Sequence, residues 1–312
     1  MTNEMKIASI GECMIEICAR PDNGMALAYG GDTLNTAVYL ARLGRAGDGN
    51  SGVKVDYLTA LGNDPYSDEM LAFWQAEGIG TDRIPRLPGR LPGLYTIRTD
   101  EGGERSFHYW RSASAARELM QGENAKHITA ALVEYDLVYL SGITLSILPV
   151  SDRAKLFGAV DHAVAKGARI AFDCNYRARG WPDEIAARRA MDQMYRRSHI
   201  ALPSLDDECA LHGDMTPEVA AQRIADLGAK EVCLKLGDGG CLVLTDGKAE
   251  LIPAVDGIDV ADTTAAGDSF NAAYIYQRLI GADTATAAQA GHQLAAQVIQ
   301  HPGAVIPVDK MP

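Results

Sequence analysis

Short apolar runs alternate with longer amphipathic ones along most of this chain, and the switch between them falls repeatedly on a glycine. Residues 6–10 are a brief apolar run ending at Gly11. Residues 32–43 then place Leu34, Val38 and Ala41 on one face of a helix, which Gly44 stops. The same pattern predicts strands at 53–60, 137–140, 168–173, 200–202 and 231–236, and helices at 66–77, 152–166 and 216–227, each followed by a glycine. Two further helices, 266–279 and 284–300, close the chain. Strands separated by helices need crossover connections, and these give a mostly parallel sheet with helices on both faces. The predicted class is α/β, in three layers α/β/α.

One stretch departs from the alternation. Residues 93–100 and 105–110 read as two strands around Glu101, Gly102, Gly103 and Glu104, a hairpin turn. With 13–19 and 25–30 they make a small antiparallel sheet standing off the main body. The expected division is a core of residues 1–11, 33–88 and 113–312, and a β lid of residues 12–32 and 89–112.

Composition adds exclusions. Of 312 residues, 47% are apolar and 22% charged, enough apolar material for one large core. The net charge of −12 argues against nucleic acid or a membrane surface as a partner. It also means that a site for an anion must bring its own positive charge. No apolar run nears the ~20 residues of a membrane span, and the N-terminal residues lead into a strand with no export signal. The six cysteines, at 13, 18, 174, 209, 233 and 241, form no CxxC or zinc spacing, so they read as reduced and the compartment as cytoplasm.

Three segments carry chemistry. In Asp262-Thr-Thr-Ala265-Ala266-Gly267-Asp268, small residues run into a helix start. Backbone there can approach a ligand closely, and the free N–H groups make a hole for a transferring phosphoryl group. Asp268, on the first turn, is placed to take a proton from an attacking hydroxyl; a plain capped helix would use the same residue types. Gly30, Gly31, Asp32 and Asn35 open an earlier helix in a way that suits a polyol, or an ordinary cap. Lys235-Leu-Gly237-Asp-Gly-Gly240 is a glycine turn between strands, compatible with phosphates or with a simple hairpin. No Walker A loop occurs.

Taken together, these segments resemble the ribokinase-like (PfkB) carbohydrate kinases from end to end. The family's N-terminal signature matches at Gly30, Gly31, Asn35 and Gly44, and its C-terminal one at Asp262, Thr263, Ala266, Gly267 and Asp268. Ala265 stands where glycine is commoner, and the link 47–52 is long for the family. Within the family the likeness is to kinases of 2-dehydro-3-deoxygluconate, through GECMIE at 11–16, GGDTLNTAVY at 30–39, LPGLYTI at 91–97, HYWR at 108–111 and FDCNYR at 172–177. The resemblance implies a ribokinase-like fold and ATP-dependent phosphorylation of the sugar acid at O6. Asp268 is then the base, and Ala265, Ala266 and Gly267 form the anion hole. It implies sugar-acid contacts at Gly31, Tyr95, Tyr109, Arg111 and Arg177, joined by Asp32 and Asn35. ATP phosphates fall near Lys235, Gly237 and Gly240, and adenine near Gly303.

The family's N-x-x-E becomes Ser204-Leu-Asp-Asp207-Glu208. Asp207 or Glu208 is therefore left to assist hydrated Mg2+. The implied partners are the sugar acid and ATP, and a homo-oligomer joined through the lid is compatible with its edges. Two guanidinium groups suit a carboxylate, which argues against the rival reading of a kinase for a neutral ketose such as fructose. An intact Asp268 argues against a second rival, a non-catalytic sugar-acid sensor.

Overall fold

Eight strands form one sheet in the spatial order Lys248–Ile252, Cys241–Thr245, Glu231–Lys235, Ile200–Ala201, Arg169–Asp173, Leu137–Ser141, Met5–Ile10, Val53–Leu58. This computed structural model describes residues 4–19, 24–46, 52–99 and 105–312. The expected hairpin turn at 101–104 and the expected insertion, apart from Gly52, lie outside the described residues. The six strands from Glu231–Lys235 to Val53–Leu58 are parallel, and the two remaining strands, at one end of the sheet, are joined by antiparallel pairing.

The sequence dictates burial on both sides. Leu137–Ser141 is buried at every position, as expected of a parallel strand covered on both faces. Ile7, Val55, Tyr57, Leu137 and Tyr139 join one apolar cluster with helices Asp32–Ala46, Ala266–Leu279 and Thr284–Val298. Ala8, Ile10, Val138 and Leu140 face the other, with Val150–Ala165, Glu184–Tyr195 and Pro217–Leu227. Alternation along each strand thus separates the two helical layers. Among the described residues no helix is long and apolar enough to cross a membrane.

Two expectations are corrected. Gly44 does not stop its helix, which runs to Ala46. Gly44 is absent from the glycines with positive φ, and a glycine ends a helix efficiently when it takes the left-handed conformation. The small sheet, ordered Met25–Gly30, Met14–Ala19, Gly93–Thr99, Arg105–Trp110, is not wholly antiparallel. Each hairpin is antiparallel, but Met14–Ala19 and Gly93–Thr99 pair in parallel. Both are the first strands of their hairpins, so the two hairpins meet side by side.

Close backbone approach holds the segment after Arg169–Asp173 in place. A Cβ on Gly142 would lie 1.9 Å from the Cys174 carbonyl oxygen and 2.4 Å from Met191 Cε. Because the nearer obstacle is backbone, Gly142→Ala is expected to cost ~1–3 kcal/mol of stability. Urea unfolding should show a lower midpoint at an unchanged slope.

Candidate active site

The turn before helix Ala266–Leu279 is fastened from two directions. The carboxylate of Asp262 accepts from Thr264 N (2.9 Å), Thr264 Oγ1 (2.6 Å) and Gly303 N (2.9 Å). The N–H groups of Ala261 and Asp262 donate to Ile299 O at 2.8 and 3.0 Å. Ala265 is left-handed, with φ 60 and ψ 16, a conformation that costs a residue with a Cβ roughly 1–2 kcal/mol. That is the physical reason for glycine to be commoner at this place. Ala266 N donates to Thr263 O (3.2 Å) and Ser269 N to Ala265 O (2.9 Å), so Gly267 and Asp268 keep N–H groups without a backbone acceptor. A helix start with two free donors is a site for an anion.

Asp268 keeps partial exposure beside these donors although protein crowds its carboxyl. Oδ2 accepts from Asn35 Nδ2 at 2.8 Å, and Thr36 Oγ1 donates to the Asp268 carbonyl at 3.2 Å. Burial first, and the charge of Asp32 second, push its carboxyl up to about 7, against the opposing hydrogen bond from Asn35. A carboxylate titrating there is a far better proton acceptor than an ordinary aspartate. The other amide atom of Asn35, Oδ1, is buried without a partner.

Beneath lies a polar cluster of which the sequence reading named only Lys235 and Asp32, leaving Asp173, Asn175, Asn271 and Tyr139 unassigned. Lys235 Nζ donates to Asp173 Oδ2 (2.9 Å) and Asn271 Oδ1 (3.1 Å), and Asn271 Nδ2 donates to Asp173 Oδ2 (2.6 Å) and Tyr139 OH (3.1 Å). Asn175 Nδ2 donates to Asp32 Oδ2 at 2.7 Å, and Asn175 N to Asp173 Oδ1 at 3.1 Å. Asn175 itself has φ 33. Lys235 also approaches the helix start: a Cβ on Gly267 would be 3.5 Å from its Nζ. The available signal for this cluster was an acid closing a buried strand, Asp173, and a fully buried Asn271 one turn after Asp268.

The acidic pair near 207 divides. Asp207 is partly buried and receives Arg177 Nη1 at 3.4 Å. Burial pushes its carboxyl up, Arg177 opposes this, and Asp173 and Lys235 act on it as well. Glu208, expected as an alternative magnesium helper, is not placed for it. Its fully buried carboxylate accepts from Tyr195 OH (2.6 Å) and pairs with Arg223. Adjacent helical residues point about 100° apart, so one acid meets the core while the other remains near Lys235. In the glycine turn, Gly237 and Gly240 have φ 63 and 93. A Cβ on Gly240 would meet Ile252 O at 2.1 Å, so its close neighbour is the chain's own backbone. Gly303, expected near adenine, has φ 88 and uses its N–H on Asp262.

The remaining expected residues lie where the small sheet joins the core. A Cβ on Gly31 would meet Glu12 O at 2.2 Å, and one on Gly30 would meet Tyr95 OH at 2.6 Å. Tyr95 OH donates to Glu16, and its ring lies 5.7 Å from that of Tyr109, its cross-strand partner. Arg111 forms an ion pair with Glu12, whose side chain is fully buried. Its Nε is buried without a partner. Arg111 and Arg177 are thus tied to different carboxylates.

The sequence matches the family described as "pfkB family carbohydrate kinase" over residues 4–311. It is 44% identical to a 2-dehydro-3-deoxygluconokinase of Dickeya dadantii over 98% of both chains. The fold resembles a 2-dehydro-3-deoxygluconokinase from Thermotoga maritima, with a TM-score of 0.84 and 22% identity over 99% of this chain and 97% of the other. It equally resembles a fructokinase with bound ATP from Xylella fastidiosa, with a TM-score of 0.84 and 22% identity over 99% and 95%.

The Asp268 carboxyl should titrate near pH 7, as read by the NMR shift of its labelled carbon. Asn35→Ala removes a donor that favours the ionised form, so the midpoint should move to higher pH.

Proposed function

The chain belongs to the pfkB family of carbohydrate kinases, and from that premise we propose that it transfers the γ-phosphoryl group of ATP to the 6-hydroxyl of 2-dehydro-3-deoxygluconate. The observation that carries this reading is Asp268, a carboxyl held near neutral pKa directly beside two free helix-start N–H groups.

Asn35 orients the carboxylate through Oδ2, leaving Oδ1 to accept the proton of the attacking hydroxyl. The buried, unpartnered Oδ1 of Asn35 offers an acceptor for a sugar hydroxyl. As charge builds on the phosphoryl oxygens, the N–H groups of Gly267 and Asp268 stabilise it. Lys235 is held beside them by Asp173 and Asn271, so its charge needs no reorganisation during transfer. Among the described residues no group of three or more His, Cys, Asp or Glu could cage a metal. That suits an ion held chiefly by nucleotide phosphates and water. Asp207 is the acid that would hold such water. Magnesium, when bound, supplies neutralisation of the β- and γ-phosphates.

On the sugar side, Arg111 and Arg177 meet the substrate carboxylate, each with donors beyond those it spends on Glu12 and Asp207. The small sheet acts as a lid over the sugar, residues 12–32 and 89–112, and excludes water that would otherwise take the phosphoryl group. Its exposed Met25 and Leu27 suit burial against a second copy of the chain.

The test is kcat/KM on 2-dehydro-3-deoxygluconate and on fructose. Asp268→Asn should lose roughly 10²–10⁴ in kcat while retaining ATP binding. In the wild type, kcat/KM should fall as pH drops below about 7, because only the ionised carboxyl accepts the proton.

Arg111→Ala and Arg177→Ala should each lose about 10–150-fold on the acid, the worth of one charge-assisted contact, and far less on fructose. Equal losses on both substrates would make the arginines structural.

A further inference from the structure

A cavity of about 780 Å3 opens beside the small sheet, away from the Asp268 cleft. Ile15, Leu94 and Trp110 wall its sheet side. They are the sequence neighbours of Glu16, Tyr95 and Tyr109, and neighbouring strand residues point to opposite faces. These three lie on the face opposite the one carrying the Glu16–Tyr95 hydrogen bond, while Tyr109 and Arg111, both expected sugar contacts, also line the cavity and mark its border with the sugar side. No residue of the 262–268 turn lines the cavity, nor do Gly31, Asp32 or Asn35.

Four arginines line it, 90, 111, 117 and 179, and no Asp or Glu does. Arg111 is neutralised by Glu12, and Arg90 by Glu118. Arg179 reaches only the Phe107 carbonyl, at 3.5 Å. Arg117 has no side-chain partner among the described residues. Two positive charges therefore face the space uncompensated, in a chain of net charge −12. Ser114, in the same wall, is 4% exposed, and its Oγ is buried with no partner. A buried hydroxyl without a partner costs free energy unless a ligand or water supplies one.

Solvated surface arginines would explain the charge alone. They do not explain a concave space, an apolar wall and a buried orphan hydroxyl together. The volume is that of a small-molecule site, and a bare inorganic anion would leave the apolar wall unfilled. We propose that this cavity binds a phosphate monoester of a sugar or sugar acid, separately from the catalytic cleft. The phosphate takes Arg117 and Arg179, and the carbon skeleton lies along Trp110 and Leu94. Arg111 stands at the border of both spaces, so an occupant that draws it from Glu12 alters how the small sheet is held against the core.

The experiment is calorimetric titration of 6-phosphogluconate, and separately of inorganic phosphate, into the full-length protein. It is done with and without saturating 2-dehydro-3-deoxygluconate, for wild type, Arg117→Ala and Arg179→Ala. The ester should bind even when the sugar acid is saturating, and each variant should weaken it about tenfold or more. Turnover without added ester should be unchanged in both variants, whose side chains lie outside the catalytic residues. Phosphate binding as tightly as the ester would keep the site and name the free anion as its occupant. Complete displacement of the ester by the sugar acid, or binding unaffected in both variants, would overturn the proposal. The heat of binding requires no catalysis, so this outcome is independent of whether the kinase reaction is found.

Discussion

Three carboxylates, Asp32, Asp173 and Asp268, share the region at the carboxyl ends of the sheet strands, and their mutual repulsion is the constraint on which the site is built. Two of them act on the third, raising the Asp268 carboxyl. Left alone, such a group of acids would protonate or push apart. Here one ammonium and three amides hold them: Lys235 and Asn271 on Asp173, Asn175 on Asp32, Asn35 on Asp268. The arrangement neutralises Asp173 most fully and leaves Asp32 and Asp268 one amide each, with Asp268 the one whose carboxyl is pushed up. A structural carboxylate and a basic one thus arise from the same side chain, separated by what each is given to bond.

The junction of the small sheet with the core follows a similar logic of shared partners. Glu12, just past the strand Met5–Ile10 of the large sheet, is buried and paired with Arg111 from the far hairpin. Its carbonyl packs onto Gly31, which opens the helix carrying Asn35. One short segment therefore touches the sheet, the start of that helix and the appended strands. Tyr95, fixed to Glu16, adds a second tie within the small sheet. A change in any of these contacts reaches Asp268 through a single helix and the Asn35 amide.

Much of this was legible in the sequence because the signals were local. Glycines marked helix ends after residues 77, 166 and 227, and the helix starts at Asp32 and Ala266 were read where they occur. Residues that work across long separations were harder to read. Asp173 looks like the polar end of an apolar strand, and only folding brings Lys235 and Asn271 to it. Asp207 and Glu208 are neighbours, and an eight-residue helix, Leu205–His212, offers too few turns to tell which acid faces the core. The helix Glu184–Tyr195 was passed over although Ala187, Ala190, Met191 and Met194 repeat at helical spacing. Its many charges masked the stripe. Gly44 misled because a glycine's effect depends on its φ, which composition does not carry.

Residues 299–306 bear on the order in which the molecule can be made. Gly303 holds the Asp262 carboxylate, Ile299 receives the backbone of the turn, and Tyr39 and Arg42 of the first helix bond to the carbonyls of Ala304 and Ile306. Segments near residues 40 and 300 are thus stitched together around the turn that carries Asp268. Until residues 299–306 have been translated, the sheet can assemble strand by strand, but the 262–268 turn has nothing to lean on. The proposed centre is completed by residues that follow every sheet strand in sequence, and a nascent chain stalled short of them has a nearly finished scaffold and an unfastened turn.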